Sequence, residues 1–239
     1  MKPISLAIMF SSAVFIASWT PEALADVQYQ IDLTQPQHHI AKVAVSFPKT
    51  DEKLLTINMP VWRTGRYAVI PIADGVRLFK ATDSQGNELD WHRTASGEWQ
   101  VSLIKPSSVT IHYQVYANQL GDRLRHIDRT HAYLDASGIF MYSPLFRDDE
   151  VKVNLSVPKE WKSYSGMKSG NKAHSFIADK YDVLVDSPIE TGINQHFAFK
   201  ADGRDYEVVF WGEGNYDTTE IVADLEKISH QASAIWEGY

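Results

Sequence analysis

The chain has 239 residues, 44% hydrophobic and 22% charged, with a net charge of −7 and no cysteine. The acidic balance gives no basic field for nucleic acid. The absence of cysteine excludes thiolate catalysis, cysteine-ligated zinc and disulfide stapling, and a chain of this size can bury enough apolar surface without crosslinks.

Residues 1–25 read as a secretory signal: Lys2 supplies a positive start, Ile4 to Phe15 is mostly apolar, and Ala23-Leu24-Ala25 is a small-x-small cleavage site. Cleavage there makes Asp26 the first mature residue and leaves no stable membrane association, because the apolar run is short for a span of about 20 residues. A periplasmic or otherwise secreted location is the expectation.

From Val27 to about Val157 the dominant period is two. Val27, Tyr29, Ile31 and Leu33 alternate with polar partners, as do Val43, Val45 and Phe47, and Leu55, Ile57 and Met59. Trp99, Val101 and Leu103, then Val109, Ile111, Tyr113 and Val115, then Val151, Val153, Leu155 and Val157, repeat the pattern. Such alternation places one set of side chains on a core face and the other toward water. Asp83-Ser-Gln-Gly-Asn87 and Ala95-Ser-Gly97 are hairpin signals, and Pro36, Pro48, Pro106 and Pro158 mark strand boundaries. Many short strands at this spacing predict a mainly β fold, an antiparallel sandwich or saddle-shaped sheet.

The pattern changes toward the C-terminus. Residues 195–200 and 205–211 read as two strands joined at Asp202-Gly203, and Asp217 to Glu237 as a helix capped by Asp217, with Glu220 in capping-box position. Ile221, Val222, Leu225, Ile228, Ile235 and Trp236 fall on one face of that helix, and Gly238 is suited to end it. An apolar helical face expects a partner surface, so Ile221, Leu225, Ile228 and Trp236 are expected to be partly exposed in this chain.

Candidate chemistry is sparse. A zinc peptidase needs His-Glu-x-x-His on a helix, two imidazoles for the metal and a carboxylate as general base. None of the nine histidines is followed by Glu. His38 and His39 are adjacent, which in an extended segment sends them to opposite sides. His126 and His131 flank Asp128 and are the nearest approach to a metal set, but no metal ligand and no catalytic residue is assigned; hydrogen-bonded loop and sheet histidines are the ordinary reading. There is no Gly-x-Ser-x-Gly elbow, Ser137-Gly138 reads as a plain turn, and the Asp148-Asp149-Glu150 run as a solvated one. Two segments remain. Trp62-Arg-Thr-Gly-Arg-Tyr67 offers Arg63, Arg66 and Tyr67 to a ligand on a loop, or else makes Trp62 and Tyr67 core anchors. In Asp186-Ser-Pro-Ile-Glu190, Glu190 is a carboxylate able to pair with a cationic α-amino group.

Asn58-Met-Pro-Val-Trp-Arg-Thr-Gly-Arg-Tyr67 and Tyr181-Asp-Val-Leu-Val-Asp-Ser-Pro-Ile-Glu-Thr-Gly192 resemble the amino-terminal part of the glycyl aminopeptidase family of zinc metallopeptidases. Tyr113-Gln-Val-Tyr-Ala117, Asp128-Arg-Thr-His-Ala-Tyr133 and Trp161 with Ser165-Gly-Met167 extend the likeness. The family loop usually reads Trp-Thr-Pro-Gly-Ser-Tyr; here only Trp62, Gly65 and Tyr67 match it. The resemblance implies a saddle-like β-sandwich domain over 26–180, then a short β-plus-helix segment over 181–239 that begins a thermolysin-like catalytic domain. It implies that zinc resides in that further domain and not among these residues, that the partners are a peptide substrate and the zinc domain, and that the enzyme removes small amino-terminal residues such as Gly or Ala. It also places His131 and Asp135, within 128–142, at the substrate cleft. The competing expectation is a stand-alone, non-catalytic β-sandwich module that binds peptides or proteins.

Overall fold

The computed structural model describes residues 26–62, 68–121 and 125–236. In chain order the strands are β1 (Val27–Asp32), β2 (Ile40–Thr50), β3 (Leu54–Asn58), β4 (Val76–Asp83), β5 (Trp91–Ala95), β6 (Glu98–Ser102), β7 (Ser107–Tyr116), β8 (His126–Ile127) and β9 (His131–Leu134). After helix α1 (Ala136–Ile139) come β10 (Val151–Ser156), β11 (Lys162–Ser165), β12 (Lys168–Ser169) and β13 (Ser175–Ala178). Helix α2 (Tyr181–Val185) leads to β14 (Ile189–Gly192), the hairpin β15 (Asn194–Ala201) and β16 (Arg204–Trp211), and helix α3 (Thr218–Ile235).

The strands form a seven-stranded sheet in the order β12-β13-β10-β1-β2-β7-β4, a four-stranded sheet β11-β14-β9-β8, a three-stranded sheet β3-β6-β5, and the separate pair β15-β16. The fold is mainly β, as the alternation predicts. Pairing is antiparallel except between β1 and β10, where Val27 lies beside Val151 and Asp32 beside Ser156. A parallel neighbour needs a long crossover, and most of the domain lies between these two strands. The alternating apolar residues of β1, β2, β7 and β10 are buried and join those of β3, β6, β9 and β14 in one core cluster.

Local predictions hold at the turns. Gly86 has φ 81°, and the β15–β16 turn takes positive φ at both Asp202 (50°) and Gly203 (77°), the backbone that a two-residue hairpin requires. Three details differ from the sequence reading. Pro48 lies inside β2 rather than at its boundary, at a register shift between Phe47 and Thr50 where no ladder amide is needed. His38 ends a short 3-10 turn and His39 has φ 56°, so the pair is not extended. Ser137 and Gly138 lie within α1, whose N-terminus is closed by Asp135.

Residues 139–141 cross the interior and are fully buried, so their peptide groups need partners from elsewhere. Three tyrosines from different elements supply them. Tyr113 donates to the Ile139 carbonyl (2.8 Å), Tyr181 to that of Phe140 (2.9 Å) and Tyr29 to that of Met141 (2.6 Å). The Met141 amide donates back to the Tyr113 hydroxyl at 3.0 Å. Burial pushes all three phenol pKa values up. The next residue, Tyr142, bridges to Asn58 at the end of β3, tying the seven- and three-stranded sheets to one interior segment.

Tyr181 and Leu184 of α2 belong to this core, and β14 pairs with both β9 and β11. The division expected at residue 180 therefore falls within this packing. Among the described residues, none beyond 193 joins the core cluster. Helix α3 rests against β15, with Asp217 capping it by accepting from the Thr219 and Glu220 amides. Ile221 and Leu225 are half-buried, while Ile228 and Trp236 are exposed. Gly238 lies outside the described residues.

Candidate functional site

The candidate site begins with a turn. Between β8 and β9 the chain reverses over 128–130, and Asp128 organises it. Its Oδ1 accepts from the Thr130 amide and hydroxyl, both at 2.7 Å, and from the His131 amide at 3.0 Å. The short Asp side chain favours such local closure. With Oδ1 saturated, Oδ2 faces His126 Nε2 at 3.2 Å. Burial alone would raise the Asp128 pKa, but the bonds from Thr130, His131 and His126 together outweigh it and hold the carboxyl far below the usual range.

Strand register then selects one face. His126 pairs with Tyr133, Tyr133 with Glu190, Glu190 with Tyr164, and His131 with Gly192. Because side chains alternate, His126, His131, Tyr133, Glu190 and Tyr164 share one side of the four-stranded sheet. The interleaved Ile127, Ala132, Leu134, Ile189 and Thr191 are on the buried side. His131 Nδ1 lies 3.0 Å from Glu190 Oε1, which also accepts from Asn194 Nδ2 at 3.1 Å. A Cβ at position 192 would lie 2.5 Å from that of His131, so glycine is needed there.

The β15–β16 hairpin lies over this face. Trp211 stacks on His131 with ring centroids 3.6 Å apart and planes at 13°, and its Nε1 donates to Thr130 Oγ1 at 2.9 Å. His196 stacks on Tyr164 at 5.0 Å and meets Glu207 at 3.1 Å. Between sheet and hairpin is a cavity of ≈ 450 Å³ lined by Tyr133, Tyr164, Glu190, Asp205, Tyr206 and Glu207 among others. It combines aromatic faces with three carboxylates, a chemistry suited to a cationic or hydrogen-bond-donating ligand. Burial, followed by the Glu207 charge, raises the Tyr164 pKa.

Of the residues singled out from sequence, the fold brings His131 and Glu190 into contact although they are 59 positions apart. Asp135 is engaged locally: its Oδ2 accepts from the Ser137 hydroxyl at 2.7 Å and the Gly138 amide at 3.1 Å, closing α1. Arg63, Arg66 and Tyr67 lie outside the described residues, while Trp62, just before them, is 53% exposed and no core anchor. Sequence reasoning missed Tyr133, Tyr164 and Trp211. The alternation of 205–211 marked a strand, but nothing local marked the side of the sheet it would cover.

The sequence profile of the Peptidase M61 N-terminal domain matches residues 28–193. The chain belongs to this family. The matched M61 segment contains His126, Asp128, His131 and Glu190, while Trp211 and the hairpin lie beyond it. No curated protein is significantly similar to the chain. Among solved structures, an aminopeptidase N family protein from Idiomarina loihiensis superposes with a TM-score of 0.81 and 27% identity over 88% of this chain. This M61 chain spans only 37% of that protein's length. An M1 zinc metallopeptidase from Deinococcus radiodurans, solved with a Tyr-Ser-Ala substrate, matches with a TM-score of 0.49 and 10% identity, covering 84% of this chain and 51% of the other.

Zinc peptidase chemistry calls for the His-Glu-x-x-His pair. With no His followed by Glu in these 239 residues, the side chains present do not fit that catalytic metal, and no hydrolytic step is assigned to them.

Proposed function

We propose that this M61 chain is the leading, substrate-positioning part of a periplasmic zinc aminopeptidase that removes small amino-terminal residues such as Gly or Ala. Zinc and the hydrolytic groups reside in a thermolysin-like domain that the β15–β16 hairpin and α3 begin. The M61 match over residues 28–193 carries the reading. Its support is the likeness to an aminopeptidase N family protein, which extends over most of this chain but only over a minor part of that protein.

The cavity beneath the hairpin gives this role its residues. A peptide's free α-amino group is cationic at neutral pH, with a pKa of about 8. Glu190, Asp205 and Glu207 line the cavity and offer it carboxylates, with Tyr133 and Tyr164 as flanking aromatic surfaces. Glu190 is held in place by His131 and Asn194, so little side-chain entropy remains to be lost when it meets a ligand. The sequence of the 62–67 loop adds Arg63, Arg66 and Tyr67 as further substrate-binding residues.

The test is NMR titration of the chain with Gly-Ala and Ala-Ala peptides, free or acetylated at the amino terminus. The expected result is shifts at Tyr133, Tyr164 and Glu190 with the free peptides, weakened by Glu190→Gln, without turnover. Equal binding of acetylated and free peptides would overturn the amine-recognition reading.

A further inference from the structure

We infer that His126, Asp128 and His131 form a Zn²⁺ site built by this chain's own β8–β9 turn, with Glu190 as the carboxylate that positions His131. The inference does not rest on the peptidase reading above. Among the described residues these three are the only grouping whose ligand atoms converge, all lying within 4.8 Å of one another.

Three observations point to a metal rather than to an ordinary ion pair. The first is an unpartnered ring nitrogen. His131 has a side chain only 3% exposed, and its Nε2 is buried without a hydrogen-bond partner. Buried polar atoms are nearly always satisfied, so an orphan nitrogen on an imidazole otherwise fixed on both sides calls for a ligand. The second is how His131 is held. Glu190 takes its Nδ1 at 3.0 Å and Trp211 covers its ring, which leaves Nε2 as the free donor atom. A carboxylate on the far nitrogen of a ligating His is the usual way its orientation and tautomer are set. The third is the asymmetry of Asp128. Oδ1 carries three hydrogen bonds from the turn, whereas Oδ2 is directed at His126 Nε2 at 3.2 Å. Bond lengths of about 2.0–2.2 Å in a tetrahedral site set neighbouring ligand atoms about 3.3 Å apart, so this oxygen and this nitrogen already have the separation of two ligands on one ion.

The donor set selects the metal. Two imidazoles and one carboxylate suit zinc and similar borderline ions, whereas Ca²⁺ and Mg²⁺ take oxygen ligands. Three protein ligands leave a fourth position for water. Filling the site ties the β8–β9 turn to β14 through His131 and Glu190, and to the hairpin through Trp211.

The experiment is titration of the chelator-treated whole chain with Co²⁺, followed by visible absorption, and with Zn²⁺, followed by calorimetry. The expected result is uptake of one equivalent, with the visible band of a tetrahedral Co²⁺ site and a change in tryptophan emission. Long-range imidazole ¹⁵N spectra of the unaltered protein should show Zn²⁺ shifting the His126 and His131 nitrogens and not those of His196. His126→Gln, at a partly accessible position, and Asp128→Asn should abolish uptake while far-ultraviolet circular dichroism is retained. Glu190→Gln should keep the stoichiometry and weaken affinity about 10–100-fold, and His196→Gln should change nothing. Absence of saturable one-to-one uptake, ¹⁵N shifts confined to other histidines, or uptake unchanged in both His126→Gln and Asp128→Asn would overturn the proposal.

Discussion

Trp211 lies flat on His131, ring centroids 3.6 Å apart, although 80 residues of chain separate them. The contact joins the last strand of the hairpin to the turn at the edge of the four-stranded sheet, and the indole N–H adds a bond to Thr130. Nothing beyond residue 193 joins the core cluster among the described residues, so this stack is a principal tether of the hairpin to the domain. Its loss should be local. Trp211→Ala is expected to cost about 1–2 kcal/mol of hairpin docking. Hydrogen exchange is the readout: amides of β15 and β16 should lose protection while those of β9 and β14 keep theirs. Trp211→Phe should recover part of the effect. Equal loss of protection across β9 and β14 would mean that the residue supports the whole fold instead.

Gly192 serves the same site from the opposite strand. A methyl group there would meet His131 Cβ at 2.5 Å and the Thr130 carbonyl at 2.7 Å, neither of which can swing aside in a paired strand. Gly192→Ala should therefore destabilise the domain by about 1–3 kcal/mol through overpacking and displace His131 from Glu190. Urea unfolding followed by fluorescence measures the first effect, and the His131 ring shifts the second. A midpoint equal to that of the unaltered chain would show that β14 has room to move.

The buried tyrosines make a sharper stability prediction. Tyr113 both donates to the Ile139 carbonyl and accepts from the Met141 amide, whereas Tyr29 and Tyr181 each serve one carbonyl. Removing a hydroxyl leaves buried peptide groups unpaired at a cost of about 1–3 kcal/mol each. Tyr113→Phe should thus be the most destabilising of the three Tyr→Phe changes in chemical denaturation. If Tyr29→Phe or Tyr181→Phe costs more, the interior segment does not depend on Tyr113 as the geometry requires.

Much of this architecture is legible in the chain itself, for a physical reason. In β1, β2, β7 and β10 the strands are long and one face is buried, so period-two alternation is written over six or more residues and survives reading without a fold. Asp217 before a helical pattern and Gly203 after Asp202 are equally local signals. The site is different. β8, β9, β11 and β14 have only two to four residues each, too few for a period to show. Their register comes from long-range pairing, so His131 and Glu190 stand out separately as polar candidates while their contact does not. Asp135 shows the converse. Its role as a helix cap is local, yet a helix of four residues has too little pattern to announce that a cap is needed.

The same tyrosines set a pH dependence at the alkaline end. Burial is the leading cause that raises the pKa of Tyr29, Tyr113 and Tyr181 above the ordinary value of 10.0. Below that value both folded and unfolded chains keep the phenol protons, and their contribution to stability is complete. As pH rises past it, the unfolded chain releases those protons while the folded chain retains them. The unfolded state then gains free energy of ionisation that the folded state lacks, and stability falls with increasing pH. The denaturation midpoint should accordingly decline above about pH 10. Tyr113→Phe, though less stable at neutral pH, should show a shallower alkaline decline because one of the shifted groups is gone. Parallel curves for the two proteins between neutral and strongly alkaline pH would show that lysines and surface charge, rather than the tyrosines around 139–141, govern alkaline unfolding.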